Sequence, residues 1–326
     1  MTYRVNQSWH GRMLLDVLHK ELGLSRATVK HLKFKDNGIT VNGAHVTVRY
    51  VLKENDLLSL AIEDTSTPEK LTPCKLPLGI AYEDGELVVP DKPSDMPTHQ
   101  SFGHYGDTVA NALTYRYTSQ GLPFVFRPVN RLDRNTSGLL LIARNRMSAA
   151  YLSDAMKQGR IKKKYVAILK GVLTPDSGTI DTYMRRTAES IIVRENCGEG
   201  EGGDRAITEF QVLLRSDTHT LVCASPITGR THQLRVHFAG LGCPIEGDDL
   251  YGESGELISR HALHSFMLSF PHPTDGKQVT VTAPLHEDML SLYRKVFGEE
   301  TALPDGLGEF IFPKHLKLKR EQKETT

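Results

Sequence analysis

The sequence predicts an α+β fold: a large, mainly antiparallel mixed sheet forms the main unit, and a small α/β unit precedes it. Three observations carry this. Short apolar and β-branched runs dominate residues 79–300, with helical patterns among them but no strict strand–helix alternation. Two helical patterns and a hairpin signal fill residues 1–64. Residues 65–78, rich in Pro, Thr and charge, read as a linker between the two. A chain of 326 residues has room for two such units, since domains usually run to roughly 100–200 residues.

In residues 12–35, Leu14, Leu15, Leu18 and Leu22 recur at helical spacing. Gly23 stops that helix and Ser25 caps a short basic one carrying Ala27, Val29, Lys30 and Lys33. Asn42-Gly43 then stands between β-branched runs at 39–41 and 46–48, a hairpin signal because both turn residues tolerate positive φ. A further strand is expected at 57–62. In the second unit, strands are expected at 87–89, 139–143, 165–169, 191–193, 208–214, 220–224 and 279–281. Helices are expected at 106–120, 146–158, 230–241 and 285–297. The tail, 301–326, turns basic and loses periodicity.

Charge narrows the function. The net charge of +1 conceals a net of +4 in residues 1–60, +9 in 127–170 and +3 in 311–326, leaving −15 on the rest. Local excesses of Lys and Arg suit a polyanion, because each one placed on a phosphate releases counterions. The start of the chain lacks the apolar core of a signal peptide, and no apolar run approaches the roughly 20 residues that cross a bilayer. A cytoplasmic protein without membrane contact is expected. Cys74, Cys197, Cys223 and Cys243 are scattered without a C-x-x-C pair, so they read as reduced thiols with no disulfide or metal role. Gly198, Gly200 and Gly203 match G-x-G-x-x-G in form only. Glu199, Glu201 and Asp204 would repel a pyrophosphate, and the next residues alternate like a strand. A P-loop motif is also missing, so no nucleotide cofactor is expected.

Three segments concentrate chemistry. RPVNRLDRNTSGLLLIAR (127–144) places Asp133 among Arg127, Arg131, Arg134 and Arg144, with a Thr136-Ser137-Gly138 turn before an apolar strand. A carboxylate among arginines stays ionised, which suits a nucleophile or electrostatic stabiliser better than a general acid. The ordinary reading of such a pair is a structural ion pair. ITGRTHQLRVHFAGLGCPIEGD (227–248) sets Arg230, His232, Gln233, Arg235 and His237 at a helix start, where backbone N–H groups favour anions, or where polar residues simply face solvent. Lys162, Lys163 and Lys164 precede Tyr165, a ring suited either to stacking on a base or to the core.

These segments carry a resemblance. RPVNRLDRNTSGLLLIAR resembles the catalytic signature H-R-L-D-x-x-T-S-G-L-L-L of the RluA-type RNA pseudouridine synthases. DKPSDMPTH (91–99), KKYVAILKG (163–171), TGRTHQLRVHFAGLGCPIEGDDLYG (228–252) and HALHSFMLSFPHP (261–273) follow in the family's order, so the likeness spans about 79–285. LSRATVK (24–30) and ITVNGAHV (39–46) resemble the alpha-L RNA-binding motif of a small-subunit ribosomal protein. Asn130 stands where the family usually has His, and Ser94-Asp95 replaces a small residue and Gly.

The resemblance implies an isomerase that converts uridine to pseudouridine in ribosomal or transfer RNA without a cofactor or metal. It implies Asp133 as the essential catalytic residue, with Arg230 as its ion-pair partner and Tyr165 stacked on the uracil. Arg131, Arg134, Thr136, His232, Gln233, Arg235 and Lys92 are expected to bind substrate. Arg131 would fill the stack vacated by a flipped uridine. Ser25, Arg26, Lys30, Lys33 and Asn42 are expected to grip RNA from the first unit. A monomer is expected, with RNA as partner. A non-catalytic RNA-binding factor and an RNA methyltransferase are the competing classes; the latter lacks the glycine-rich nucleotide site it would need.

Overall fold

The computed structural model describes residues 2–24, 26–61 and 71–298. Ser25, part of the linker and the basic tail lie outside them. The first unit comprises β1 (Thr2–Arg4), α1 (Leu14–Asp16) running into a π-helical turn (Val17–Glu21), α2 (Arg26–Phe34), β2 (Ile39–Val41), β3 (Ala44–His45) and β4 (Leu57–Leu60). Its antiparallel sheet has the order β1-β4-β2-β3. Leu14, Leu18, Leu32, Ile39 and Leu58 lie in its core; of the leucines whose spacing predicts the first helix, Leu14 and Leu18 are buried there, and Leu15 and Leu22 pack partly buried against it. The hairpin turns at Asn42 (φ 51°) and Gly43 (φ 80°), as the sequence predicts. Its return strand begins directly after that turn, at 44–45 rather than 46–48.

The second unit is built on β5 (Gly79–Glu83), β6 (Leu87–Lys92), β7 (Arg127–Pro128), β8 (Ser137–Leu139), β9 (Ile142–Ala143), β10 (Lys162–Lys170), β11 (Ser177–Arg186), β12 (Arg194–Cys197), β13 (Asp204–Arg215), β14 (His219–Pro226), β15 (Leu263–Pro271) and β16 (Gln278–Thr282). Among the described residues they join in one sheet, ordered β12-β11-β13-β14-β10-β15-β8-β6-β9-β7, with β16 on β15 and β5 on β6. The β8–β15 pair is parallel and the other named pairs are antiparallel. Helices α3 (Val109–Thr118), α4 (Arg146–Lys157), α5 (Gln233–Gly240) and α6 (Glu287–Phe297) complete it.

Both faces of the central strands are covered. Val88, Leu140 and Ile142 enter one apolar cluster with Leu113 and Phe266, while Leu87, Val89, Leu139 and Leu141 enter another with Leu152 and Phe270. This explains the unbroken apolar runs LVV and LLLI, which a sheet with one wet face would interrupt with polar residues. The run expected as one strand at 139–143 is divided between β8 and β9. The strand expected at 191–193 is instead the turn of the β11–β12 hairpin, with Ile191 78% exposed. Gly138 has φ 104°, and a Cβ there would lie 2.3 Å from the Ser265 carbonyl oxygen. Only glycine lets β8 lie against β15 in this way, and that contact fixes the end of the loop carrying Asp133.

Candidate active site

Asp133 sits in the loop between β7 and β8, and almost every neighbour in that loop is clamped. Buried Lys92 donates from Nζ to the carbonyls of Arg134 (2.8 Å), Pro93 (2.8 Å) and Met96 (2.9 Å). Thr98 Oγ1 donates to the Leu132 carbonyl (2.9 Å) and accepts from its N–H (3.2 Å). Arg260, held by Asp288 at 2.6 and 3.0 Å, reaches the Asn135 carbonyl and the Ser137 hydroxyl, both at 3.1 Å. Thr136 binds the His261 ring at 2.8 Å, and its N–H donates to the Asp133 carbonyl at 3.1 Å. Asn130 Oδ1 accepts from Leu141 N–H at 2.7 Å; its buried Nδ2 has no partner among the described residues. The loop is therefore preorganised, leaving the Asp133 side chain 19% exposed.

The cation beside Asp133 is Arg235, on α5. Its Nη1 lies 3.9 Å from the Asp133 carboxylate, while its other edge makes a two-pronged pair with buried Asp248 at 2.6 and 2.7 Å. Arg235 also packs over the Tyr251 ring at 5.1 Å. His232, with φ 59°, turns the chain into α5 and pairs Nδ1 with the Tyr251 hydroxyl at 2.8 Å. Burial lowers the His232 pKa, against the pull of Asp133. Burial, aided by the charges of Arg235 and Arg260, drives that of His261 well below the usual histidine range. Tyr165 enters where β10 bulges against β15. Burial raises its phenol pKa, a hydrogen bond with Ser265 opposes this, and the Asp133 charge adds to it. The site thus gathers an arginine shared by two carboxylates, imidazoles whose pKa burial lowers and a phenol whose pKa burial raises.

Several expectations are corrected. Arg230 does not meet Asp133: it donates to the Arg205 carbonyl at 3.1 Å and pairs with Asp204 at 3.5 Å. Four residues separate Arg230 from Arg235, and the left-handed turn at His232 sends only the second inward. Gln233 is spent inside the fold, donating to Ile207 and Thr208 and accepting from Thr228 and the Arg230 N–H. Lys92 and Thr136 are likewise buried braces rather than open contacts. Asn42 bridges Asp56 and the Leu57 N–H across its turn. Arg134 pairs with Asp95 at 2.6 Å, and Arg131 is exposed beside the site. Arg26, Lys30 and Lys33 are exposed on α2, with Lys33 over the exposed Phe34 ring at 5.5 Å. The sequence reading missed Asp248, Tyr251, Thr98 and Arg260. Asp248 and Tyr251 stood within the quoted GDDLYG run, and Arg260 immediately before HALHS. No helix among the described residues is long and apolar enough to cross a membrane.

Comparison with known proteins follows this geometry. A family model described as RNA pseudouridylate synthase matches residues 86–240. The uncharacterised RNA pseudouridine synthase YjbO of Bacillus subtilis is 39% identical over 84% of this chain and 96% of its own length. The ribosomal large subunit pseudouridine synthase D of Blochmanniella floridana is 32% identical over 90% of this chain and 96% of its own. Among solved structures, human RNA pseudouridylate synthase domain containing 1 aligns with TM-score 0.52 and 30% identity, covering 70% of this chain and 97% of that one.

Proposed function

The chain belongs to the RNA pseudouridine synthase family and is an RNA-modifying isomerase, and within that family we propose that Asp133 is its catalytic carboxylate. The observation that carries this is a half-open carboxylate beside a fixed guanidinium, on a loop braced from both sides. In the reaction the C1′–N1 bond of uridine breaks, the uracil turns, C5 bonds to C1′, the C5 proton leaves and N1 takes up a proton. Atoms and electrons balance without a redox or group-transfer partner, so the proposed chemistry calls for no cofactor.

The target uridine must leave its stack, at a cost of a few kcal/mol. Arg131, exposed two residues before Asp133, is placed to occupy the gap. Tyr165 serves as a neutral ring beneath the uracil, since burial keeps its phenol protonated. Arg235 orients the Asp133 carboxylate from 3.9 Å, the role expected of Arg230. His232 and Arg134 are assigned to substrate binding beside Asp133. The first unit, of alpha-L type, grips phosphates through Arg26, Lys30 and Lys33 without reading sequence. We propose structured ribosomal RNA as substrate, because two relatives carry the name ribosomal large subunit pseudouridine synthase D, with the protein acting as a cytoplasmic monomer.

The test is tritium release from RNA labelled at uridine C5. The wild-type protein is expected to release tritium from ribosomal RNA and Asp133→Asn to release none. Equal release by the two proteins would remove Asp133 from the chemistry, and release from transfer RNA alone would replace the substrate.

A further inference from the structure

We propose that the cleft between the β11–β12 hairpin and the turn at 229–231 is a second anion site, which holds a backbone phosphate of the substrate RNA beside the flipped nucleotide. The cleft has a volume of about 360 Å³ and is lined by Arg185, Arg186, Arg194 and Arg230, with Asp204 and Met184. Four guanidiniums face one lining carboxylate. The proposal rests on the RNA-modifying reading above and extends it to a place that the chemistry there does not use.

The strongest argument is the strand register. Arg186 and Arg194 stand directly opposite each other on β11 and β12. Like charges in that position repel and destabilise a hairpin. The neighbouring pair, Arg185 and Glu195, is an ordinary salt bridge at 2.8 Å, so the same hairpin also contains the stabilising arrangement. Arg185 approaches Glu201 at 4.0 Å, and Arg230 shares Asp204 at 3.5 Å. Arg194 Nη1 donates to the carbonyls of Ile191 (3.3 Å), Ile192 (3.2 Å) and Val193 (3.2 Å), which neutralises none of its charge. Arg186 is exposed, and no carboxylate among the described residues pairs with it. A phosphodiester between these arginines would relieve the repulsion and accept the forked hydrogen bonds that guanidinium presents.

The cleft is tied to the carboxylate site through a short chain. Thr231 lines it, and the next residue, His232, binds the Tyr251 hydroxyl at 2.8 Å. The same hydroxyl accepts from the Arg194 N–H at 2.9 Å, and Arg235 packs on that ring before reaching Asp133. An anion held at the hairpin is thus registered against Asp133 through Tyr251 and His232. A free phosphate shares the chemistry but not the need for that registration, which favours the RNA strand as its source.

The experiment uses the full chain and a fluorescent ribosomal RNA fragment, measuring Kd by anisotropy across a series of KCl concentrations and KM by tritium release. Arg186→Ala is expected to raise Kd and KM about tenfold, and to reduce the slope of log affinity against log salt by about 0.7, the share of one phosphate on a single strand. Arg186→Lys should restore the slope, because the charge returns. The thermal midpoint of Arg186→Ala should hold or rise, since a like-charge pair is removed. An Arg186→Ala protein with wild-type Kd and slope overturns the proposal, as does a loss of affinity accompanied by a fall in thermal midpoint. A wild-type protein that binds RNA but releases no tritium would overturn the catalytic reading instead, leaving the binding series to judge the cleft.

Discussion

Arg235 Nη1 stands 3.9 Å from the Asp133 carboxylate while Nε and Nη2 of the same guanidinium grip Asp248 at 2.7 and 2.6 Å. One arginine thus serves a buried carboxylate that fixes it and a half-open one that it orients. A lysine is a point charge and cannot span both. Arg235→Lys is therefore expected to lower kcat at least tenfold with little change in RNA affinity, whereas Arg230→Ala should act mainly on KM. Asp248→Ala leaves a buried guanidinium short of its anchoring partner and should cost roughly 3–5 kcal/mol of stability. Steady-state tritium release and urea unfolding separate these outcomes. If Arg230→Ala lost kcat as Arg235→Lys does, the assignment of the ion pair would be wrong.

This pair also marks where the sequence stops being legible. The segment TGRTHQLR announces two arginines and an anion-friendly helix start, but not which arginine turns inward. That depends on the left-handed His232 and on the phase of α5. The same holds for Lys92: Lys-Pro is visible in the sequence, yet three carbonyls converging on its Nζ are a product of the folded loops. Apolar runs such as LVV at 87–89 are legible because both faces of their strands are buried, although 139–143 is divided between β8 and β9. The half-exposed β11, with only Ile180 and Met184 buried, carries too little alternation to be seen. Gly138 reads as a turn residue, and only the parallel strand pressed against it reveals why no side chain fits.

Lys92 supplies a second prediction. Burial, helped by the charge of Arg260 and opposed by Asp133, Asp95 and Asp91, pulls its pKa down to about 7. Between about pH 7 and the ordinary lysine value the unfolded chain holds this proton and the folded chain does not. The contribution to stability therefore grows as pH rises through that window, and below it the burial cost stays constant. Lys92→Met removes both the titration and the donor to three carbonyls, two of which the neutral amine can still serve. It should cost about 3 kcal/mol or more, because buried carbonyls lose their donor. The gap from wild type should widen by on the order of 2 kcal/mol between pH 7 and pH 9. Urea midpoints at the two pH values give the answer; a gap that narrows would contradict the assigned direction.

His237 predicts acid behaviour. It is buried on α5 with Nδ1 on Thr208 Oγ1 at 3.0 Å and Nε2 near Thr182 Oγ1 at 3.2 Å. Burial lowers its pKa to about 4, against Asp181. A depressed folded pKa gives stability that is complete above the unfolded value near 6.5 and is lost as pH falls toward 4. His237→Gln keeps a hydrogen-bonding amide and does not titrate. Its loss of stability between pH 7 and pH 4 should be smaller than that of wild type by on the order of 2 kcal/mol. The carboxylates titrate in both proteins, so the difference isolates the imidazole. Parallel pH profiles would show that His237 is not held neutral.

Asn130 stands three residues before Asp133 where the family usually has His, and only half of its amide is used. Oδ1 accepts from Leu141 N–H at 2.7 Å, fixing the chain on both sides of the loop that carries Asp133, while buried Nδ2 has no partner among the described residues. The needed function at this position is therefore a hydrogen-bond acceptor, and a neutral imidazole nitrogen is one. Asn130→His should keep kcat within a few-fold of wild type. Asn130→Ala strands the Leu141 N–H and should cost about 1–3 kcal/mol, with a drop in kcat as the loop loosens. Asn130→Asp retains the acceptor and removes the orphan donor, but it sets a second negative charge close to Asp133 and should weaken activity more at pH 8 than at pH 5, where the new carboxylate is partly protonated. Tritium release for the three variants at both pH values tests the idea. Full activity in Asn130→Ala would mean that the bond to Leu141 does not position Asp133 at all.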